Sequence, residues 1–172
     1  TAVGGRQRAW ADEHCGVIRT WSDFDRYRWP RVEDADFFVH EYVDTHLPDG
    51  MGLLTCHGGG VFEHVSRLFS IEGLCMALCE APDLVQAVTD RVGETLLAYY
   101  RRLAGLKNLT ALFQGDDMGY RSQTLIAPDH LRQYFLPWHR RFAELAHDRG
   151  VPYFLHSCGN LGGIMEDLIE HV

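Results

Sequence analysis

His156 and Cys158 stand two residues apart in the run Leu155-His156-Ser157-Cys158-Gly159-Asn160. At the end of a β-strand, alternation puts both side chains on one face and Ser157 on the other. An imidazole nitrogen and a thiolate sulfur are both good zinc ligands, at roughly 2.0–2.3 Å from the metal. Gly159 lets the backbone turn sharply beside them. A hydrogen-bonded His next to a small buried Cys would give the same letters. Two ligands do not complete a catalytic zinc site, which needs a third.

Asp116 and Asp117 form a second candidate, in Gly115-Asp116-Asp117-Met118-Gly119-Tyr120. A carboxylate at a pocket rim accepts hydrogen bonds from substrate N–H groups or orients a ligand, so both are catalytic candidates. Adjacent strand residues face opposite ways, so one of the two is expected to enter the pocket. The alternative is a loop pair that steadies a turn through its own side-chain bonds. Gly58, Gly59 and Gly60 precede a helix, where free N–H groups can receive an anion such as a carboxylate, or where glycines simply make a tight loop. Their spacing is neither that of a phosphate loop nor that of a dinucleotide fingerprint. His57, Gly59, Tyr120 and Asn160 are expected to line a substrate pocket, with Cys56 at the same rim.

Cys75 and Cys79, four apart, share a helix face. Their neighbours Leu74, Met76, Ala77 and Leu78 are apolar, so both read as buried small residues. His14, His40, His46, His130, His139 and His147 read as surface or packing residues.

These groups require elements to hold them. Residues 1–50 read as an irregular N-terminal part with a breaker at Trp29-Pro30 and a helix over 33–47, closed by Pro48-Asp49-Gly50. Residues 51–172 read as βα units of the same single domain. Met51 to His57 is an apolar run before the glycines, a strand and its loop. Val61 to Glu80 has helical spacing with a break expected at Gly73. Pro82 opens a longer helix whose stripe is Leu84, Val85, Val88, Val92, Leu96, Tyr99 and Leu103. Leu109 to Gln114 is a buried strand. A helix opened by Pro128 runs to Gly150 and is kinked or split at Pro137. Val151 to Leu155 is a third strand, and Leu161 to Val172 begins another helix.

Strands alternating with helices imply parallel strands with right-handed crossovers. A closed (β/α)8 barrel takes eight strands and about 250 residues. The chain has 172 residues. The units therefore make either an open doubly wound sheet or a partial TIM barrel with both ends missing. Thr1 reads as an internal start and Leu161 to Val172 as a helix cut short. In both architectures chemistry sits at the carboxyl ends of the strands, and the polar and glycine clusters collect at all three.

The composition, 46% hydrophobic and 23% charged, is that of a soluble globular protein. The net charge is −8, and of the 16 basic residues only Lys107 is a lysine, with no basic cluster. That excludes a nucleic-acid surface. No apolar run approaches the roughly 18 residues of a membrane helix. Five cysteines without a CxxC pair argue against a disulfide framework and point to a reducing cytoplasm.

From Gly60 to Val172 the sequence resembles the uroporphyrinogen decarboxylase superfamily. The resemblance rests on Gly60-Val61-Phe62-Glu63, Ala81-Pro82-Asp83-Leu84-Val85, Gly115-Asp116-Asp117-Met118-Gly119, Ile126-Ala127-Pro128-Asp129-His130-Leu131, Phe135-Leu136-Pro137-Trp138 and Leu155-His156-Ser157-Cys158-Gly159-Asn160, in that order. It implies a (β/α)8 barrel. It also implies an enzyme acting on a small molecule: either a porphyrinogen decarboxylase, which needs no cofactor, or a zinc-dependent methyltransferase moving a methyl group between a corrinoid and a thiol such as coenzyme M. The His-x-Cys-Gly strand end resembles the methyltransferase branch. That carries zinc binding onto His156 and Cys158, with a third ligand, a later Cys, expected beyond Val172. A corrinoid, on its own protein, is then the expected methyl donor. The decarboxylase branch has an Arg-rich N-terminal motif, which Gly5-Arg6-Gln7-Arg8 does not match. In that reading an Asp at positions 116–117 would bind pyrrole N–H groups. A structural fragment without activity is the remaining alternative.

Overall fold

The structure, a computed structural model, describes residues 15–172. Gly5 to Arg8 and His14 lie outside the described residues. The N-terminal part opens with α1 (Trp21–Arg26), whose start is a reciprocal cap: Asp23 N donates to Thr20 Oγ1 at 3.2 Å and Thr20 N to Asp23 Oδ2 at 3.0 Å. The helix expected over 33–47 is shorter. A 3₁₀ turn at Val32–Asp34 is followed by α2 (Phe38–Thr45). Asp36 Oδ1 accepts from Phe38 N at 2.8 Å, a local bond that restarts the chain between them. Asp44 then anchors α2 to the domain by accepting from the backbone N–H of Lys107 (3.0 Å) and Asn108 (2.8 Å).

β1 (Leu53–His57), β2 (Leu109–Gly115) and β3 (Tyr153–His156) form one sheet in the order β1-β2-β3, with both pairs parallel. Thr55 pairs with Leu112, Phe113 with Phe154, and Gly115 with His156. The crossover from β1 to β2 holds α3 (Val61–Phe69), α4 (Ile71–Glu80) and α5 (Pro82–Ala104). The α3–α4 break falls at Ser70, not at Gly73. Ser70 takes a positive φ of 64° and its Oγ accepts from Gly73 N at 3.0 Å, so it stops one helix and caps the next. In α5 the buried stripe takes Tyr100, fully enclosed, where Tyr99 was expected; its hydroxyl lies 2.8 Å from Phe113 O and 2.7 Å from Gln114 Oε1.

The second crossover holds one turn, α6 (Pro128–His130), then a π-helical turn at Leu131–Phe135 and α7 (Leu136–Asp148). Pro137 has no N–H to give, so the chain widens by one residue just before it rather than breaking. β3 is followed by a 3₁₀ turn and α8 (Met165–His171).

One face of the sheet meets α5 and α7 and carries the core. Leu112, Phe62, Tyr100, Phe135 and Phe142 are buried to 1% or less. Each such side chain contributes about 1.5–3 kcal/mol of burial. On the other face Leu54 and Phe154 remain about half exposed, at 51% and 49%. This is the asymmetry of a barrel wall seen from both sides. The three parallel βα units are those of a partial (β/α)8 barrel. No helix among the described residues is long and apolar enough to cross a membrane, and no disulfide joins the five cysteines.

Candidate functional site

The carboxyl ends of β2 and β3 lie side by side because Asp116 N donates to His156 O at 2.9 Å, continuing the ladder. From that point consecutive aspartates part. Asp116 turns toward the helices and is fully buried. Its carboxylate accepts from Phe62 N (3.0 Å), Glu63 N (2.9 Å) and His139 Nε2 (2.9 Å). The first two are unpaired N–H groups at the start of α3, whose own N-cap, Gly60, has no side chain to offer. A Cβ at Gly60 would come within 2.2–2.5 Å of the Asp116 carboxylate, so the glycine makes room for it. The helix end foreseen as an anion site is thus filled by an anion of the protein itself. Asp116, read as catalytic from sequence, touches no open space; it ties the end of the second strand to the start of α3.

Asp117 turns the other way, toward the inner face. Its Oδ1 accepts from Cys158 N at 2.8 Å and lies 3.9 Å from His156 Nε2. Cys158 Sγ lies 3.5 Å from His156 Nε2. One ligand atom from each of Asp117, His156 and Cys158 falls within 4.8 Å of the others. His156 stacks on Phe113, 6.5 Å between rings at 16°, which holds the imidazole on the inner face. Bonds of about 2.3 Å to sulfur and about 2.0 Å to nitrogen, meeting at a tetrahedral angle, separate the two atoms by roughly 3.5 Å. The His–Cys pair already has that separation. Relative to His156, the carboxylate must close by roughly half an ångström to join them.

The surroundings are anionic. The hydrogen bond and the charge of Asp117 raise the Cys158 thiol above its usual value, with burial and Glu63 adding to the effect. Burial raises the Glu63 carboxyl, Asp116 and Asp117 raise it further, and the Arg67 guanidinium 2.7 Å away opposes them. Both shifts reflect negative charge gathered beside Cys158, an electrostatic setting that favours a cation. Glu63 was not singled out in the sequence; its place in the first turn of α3, four residues before Arg67, was the available signal.

Ser157 faces away from this cluster, as alternation requires, and its Oγ accepts from Met118 N at 2.9 Å. Gly159, with φ of 82°, backs onto Gly119 so closely that a Cβ on it would lie 2.3–2.6 Å from backbone atoms. That contact lets Tyr120 and Asn160 bridge the two loops, with Asn160 N donating to Tyr120 O at 2.7 Å. Tyr120 stays 57% exposed beside the rim. Asn160 is held by Ser122 O and Gly162 N. It borders a cleft of about 570 Å³ under the loop Ser122–Pro128. Gly59 is buried between β1 and α3, near His64 and Arg67. His57 ends β1, and its side chain lies outside the described part of the structure. A cleft of about 590 Å³ is lined by Trp29, Val92, Leu96 and Tyr99, with His64 and Arg67 of α3.

Cys75 and Cys79 on α4 are both exposed, not buried as their apolar neighbours led one to expect. Of the histidines read as surface or packing residues, His139 is a packing one. It is wholly enclosed, between Asp116 and the Tyr153 hydroxyl 3.1 Å from its Nδ1. Nothing in its spacing distinguished it from the surface histidines around it.

One solved structure with this fold is a methyltransferase from Methanosarcina mazei, at TM-score 0.59 and 19% identity over 74% of this chain. The chain spans 36% of that protein's length. No curated protein sequence matches the chain. The family model described as uroporphyrinogen decarboxylase (URO-D) matches residues 18–171. Across nearly its whole length, from the first helix to the last, the chain belongs to the uroporphyrinogen decarboxylase family.

Proposed function

We propose that this protein is a zinc-dependent methyltransferase of the family, moving a methyl group from a corrinoid, or another methyl donor, to a substrate thiol. The observation that carries the reading is the convergence of Asp117, His156 and Cys158 on the inner face at the strand ends. The donor set, one soft sulfur, one imidazole and one carboxylate, fits zinc better than magnesium or calcium. A later Cys beyond Val172 would complete or replace the carboxylate. Zinc held there lowers the pKa of a thiol, so that a thiolate is available at neutral pH.

The chain's own residues do the rest. His156 and Cys158 hold the cation, and Asp117 steadies Cys158 through the 2.8 Å bond from its N–H. Asp117 and, from further off, Glu63 offset the positive charge, and the Asp117 carboxylate is the acceptor for the displaced thiol proton. Tyr120 and Asn160 border the space a substrate would enter, and a partner protein carrying the corrinoid would present the methyl group from that open rim. A decarboxylase acting on tetrapyrrole acetates would use the same rim, with Asp117 rather than the buried Asp116 facing pyrrole N–H groups.

Metal analysis decides between them. The full-length protein, purified without chelator, is expected to hold about one zinc per chain. Cys158→Ala should lose most of it, and thiol methylation with it, while Ser157→Ala should keep it. Folded, active protein free of metal would refute the zinc mechanism and favour decarboxylation.

A further inference from the structure

A carboxylate, an imidazole and a phenol lie in line behind the site. His139 Nε2 is 2.9 Å from Asp116 Oδ2, and His139 Nδ1 is 3.1 Å from the Tyr153 hydroxyl. Asp116 and His139 are completely buried. The proton on Nε2 follows from its partner. Asp116 Oδ2 accepts, so Nε2 carries a hydrogen, and Nδ1 pairs with the Tyr153 hydroxyl, which can donate or accept. The chain runs from phenol through imidazole to carboxylate.

Buried polar groups are costly unless fully paired, and an apolar side chain would fill the space beside Phe142 more simply. The relay therefore needs a reason, and its ends supply one. Asp116 is the residue before Asp117, so the bonds that fix its carboxylate also fix the peptide that aims Asp117 at His156 and Cys158. Tyr153 is three residues before His156 on β3. His139, from α7, binds both the residue before Asp117 and the strand that ends at His156, two residues before Cys158.

We infer that His139 is a positioning residue for the Asp117–His156–Cys158 cluster, acting through Asp116 on one side and Tyr153 on the other. This rests on the metal reading above. The π-helical turn before Pro137 is what sets its register: it displaces α7 by one residue relative to an unbroken helix.

Cobalt(II) tests it, because a Cys–cobalt bond gives a charge-transfer band that a merely folded protein lacks. The full-length protein is titrated with Co²⁺ alone. His139→Phe keeps the ring packing on Phe142 and loses both hydrogen bonds. It should bind Co²⁺ about tenfold more weakly, the usual scale for groups that orient ligands from behind. In His139→Gln the side-chain amide can still donate to Asp116, and affinity should return to within about threefold of wild type. Val88→Ala, a change at a fully buried core position on a different helix, α5, should lower the thermal midpoint and leave affinity unchanged. Wild-type affinity in His139→Phe, or an equal loss in Val88→Ala, overturns the inference. Should His139→Phe fail to fold, Tyr153→Phe removes a single oxygen and must still weaken binding; if it does not, the inference fails. Wild-type protein without any Cys–cobalt band would instead sink the metal reading, and this inference with it.

Discussion

Asp116 and Asp117 are neighbours of identical chemistry, yet one is sealed among helices and the other stands at an open rim. Each belongs to a different face of the sheet. The helix-side face is filled by Phe62, Leu112, Tyr100 and Phe142, and Asp116 is paired there with Phe62 N, Glu63 N and His139. The inner face carries Leu54, Phe154, His156 and Cys158, all substantially exposed. Stability resides on the first face and reactivity on the second, and β2 passes from one role to the other within a single peptide bond. Substitutions on the two faces should therefore differ in kind: loss of folding on one, loss of ligand binding without loss of folding on the other.

The largest expected effect is at Asp116. Asp116→Ala strands the N–H groups of Phe62 and Glu63 and the His139 ring in a buried space, and should cost about 3–5 kcal/mol in urea unfolding. Cys158→Ala, on the exposed face, should leave the urea unfolding free energy within about 0.5 kcal/mol of wild type when both are measured free of metal, while abolishing metal binding. If the two variants lose stability equally, the division between the faces is wrong.

Much of this was legible in the sequence, for definite reasons. Three apolar runs, each ending in glycines and polar residues, located the strands and their carboxyl ends, because strand burial and loop chemistry are both local. The His-x-Cys pair was legible because alternation across a strand is a fixed geometric rule. Which aspartate faces the site was not, since the answer depends on α3 lying behind β2 with unpaired N–H groups and on a glycine at position 60 leaving room. His139 was invisible for the same reason: its partners are 23 and 14 residues away, and no spacing rule connects them. The helix break at Ser70 was misplaced because glycine is the usual residue at positive φ, and here a serine takes that conformation while capping the next helix.

A smaller effect should appear at high pH. Burial, with Tyr100 and Asp116 nearby, pushes the Tyr153 phenol well above its usual range. In the unfolded chain that phenol ionises near pH 10. Its neutral, buried form is then favoured in the folded state, so its contribution is intact below about pH 10 and is lost as pH rises toward the folded value. Wild type should lose up to about 1.4 kcal/mol per pH unit above 10 from this group. Tyr153→Phe, less stable at pH 8 by about 1 kcal/mol for the missing hydrogen bond, should lose less on going to pH 11. Urea midpoints of both proteins at the two pH values measure it, and parallel losses would show that Tyr153 does not titrate with unfolding.

The smallest effect tests the completeness of pairing on the helix-side face. Thr55 lies on β1 with 2% exposure, and its Oγ1 is buried with no protein partner. It is β-branched, so valine adopts the same rotamer and fills nearly the same volume. Hydroxyl burial without a hydrogen bond costs about 1–3 kcal/mol on the scale of protein substitutions, and exchanging it for a methyl group recovers part of that. Thr55→Val should therefore raise the urea unfolding free energy by about 0.5–1 kcal/mol, with zinc content unchanged because the inner face is untouched. A loss of 1 kcal/mol or more would mean that Oγ1 is satisfied by an enclosed water and that β1 is held from behind by a bond of its own. In that case polar pairing on the helix side would extend across all three strands, instead of being concentrated, as argued here, where β2 meets α3 and α7.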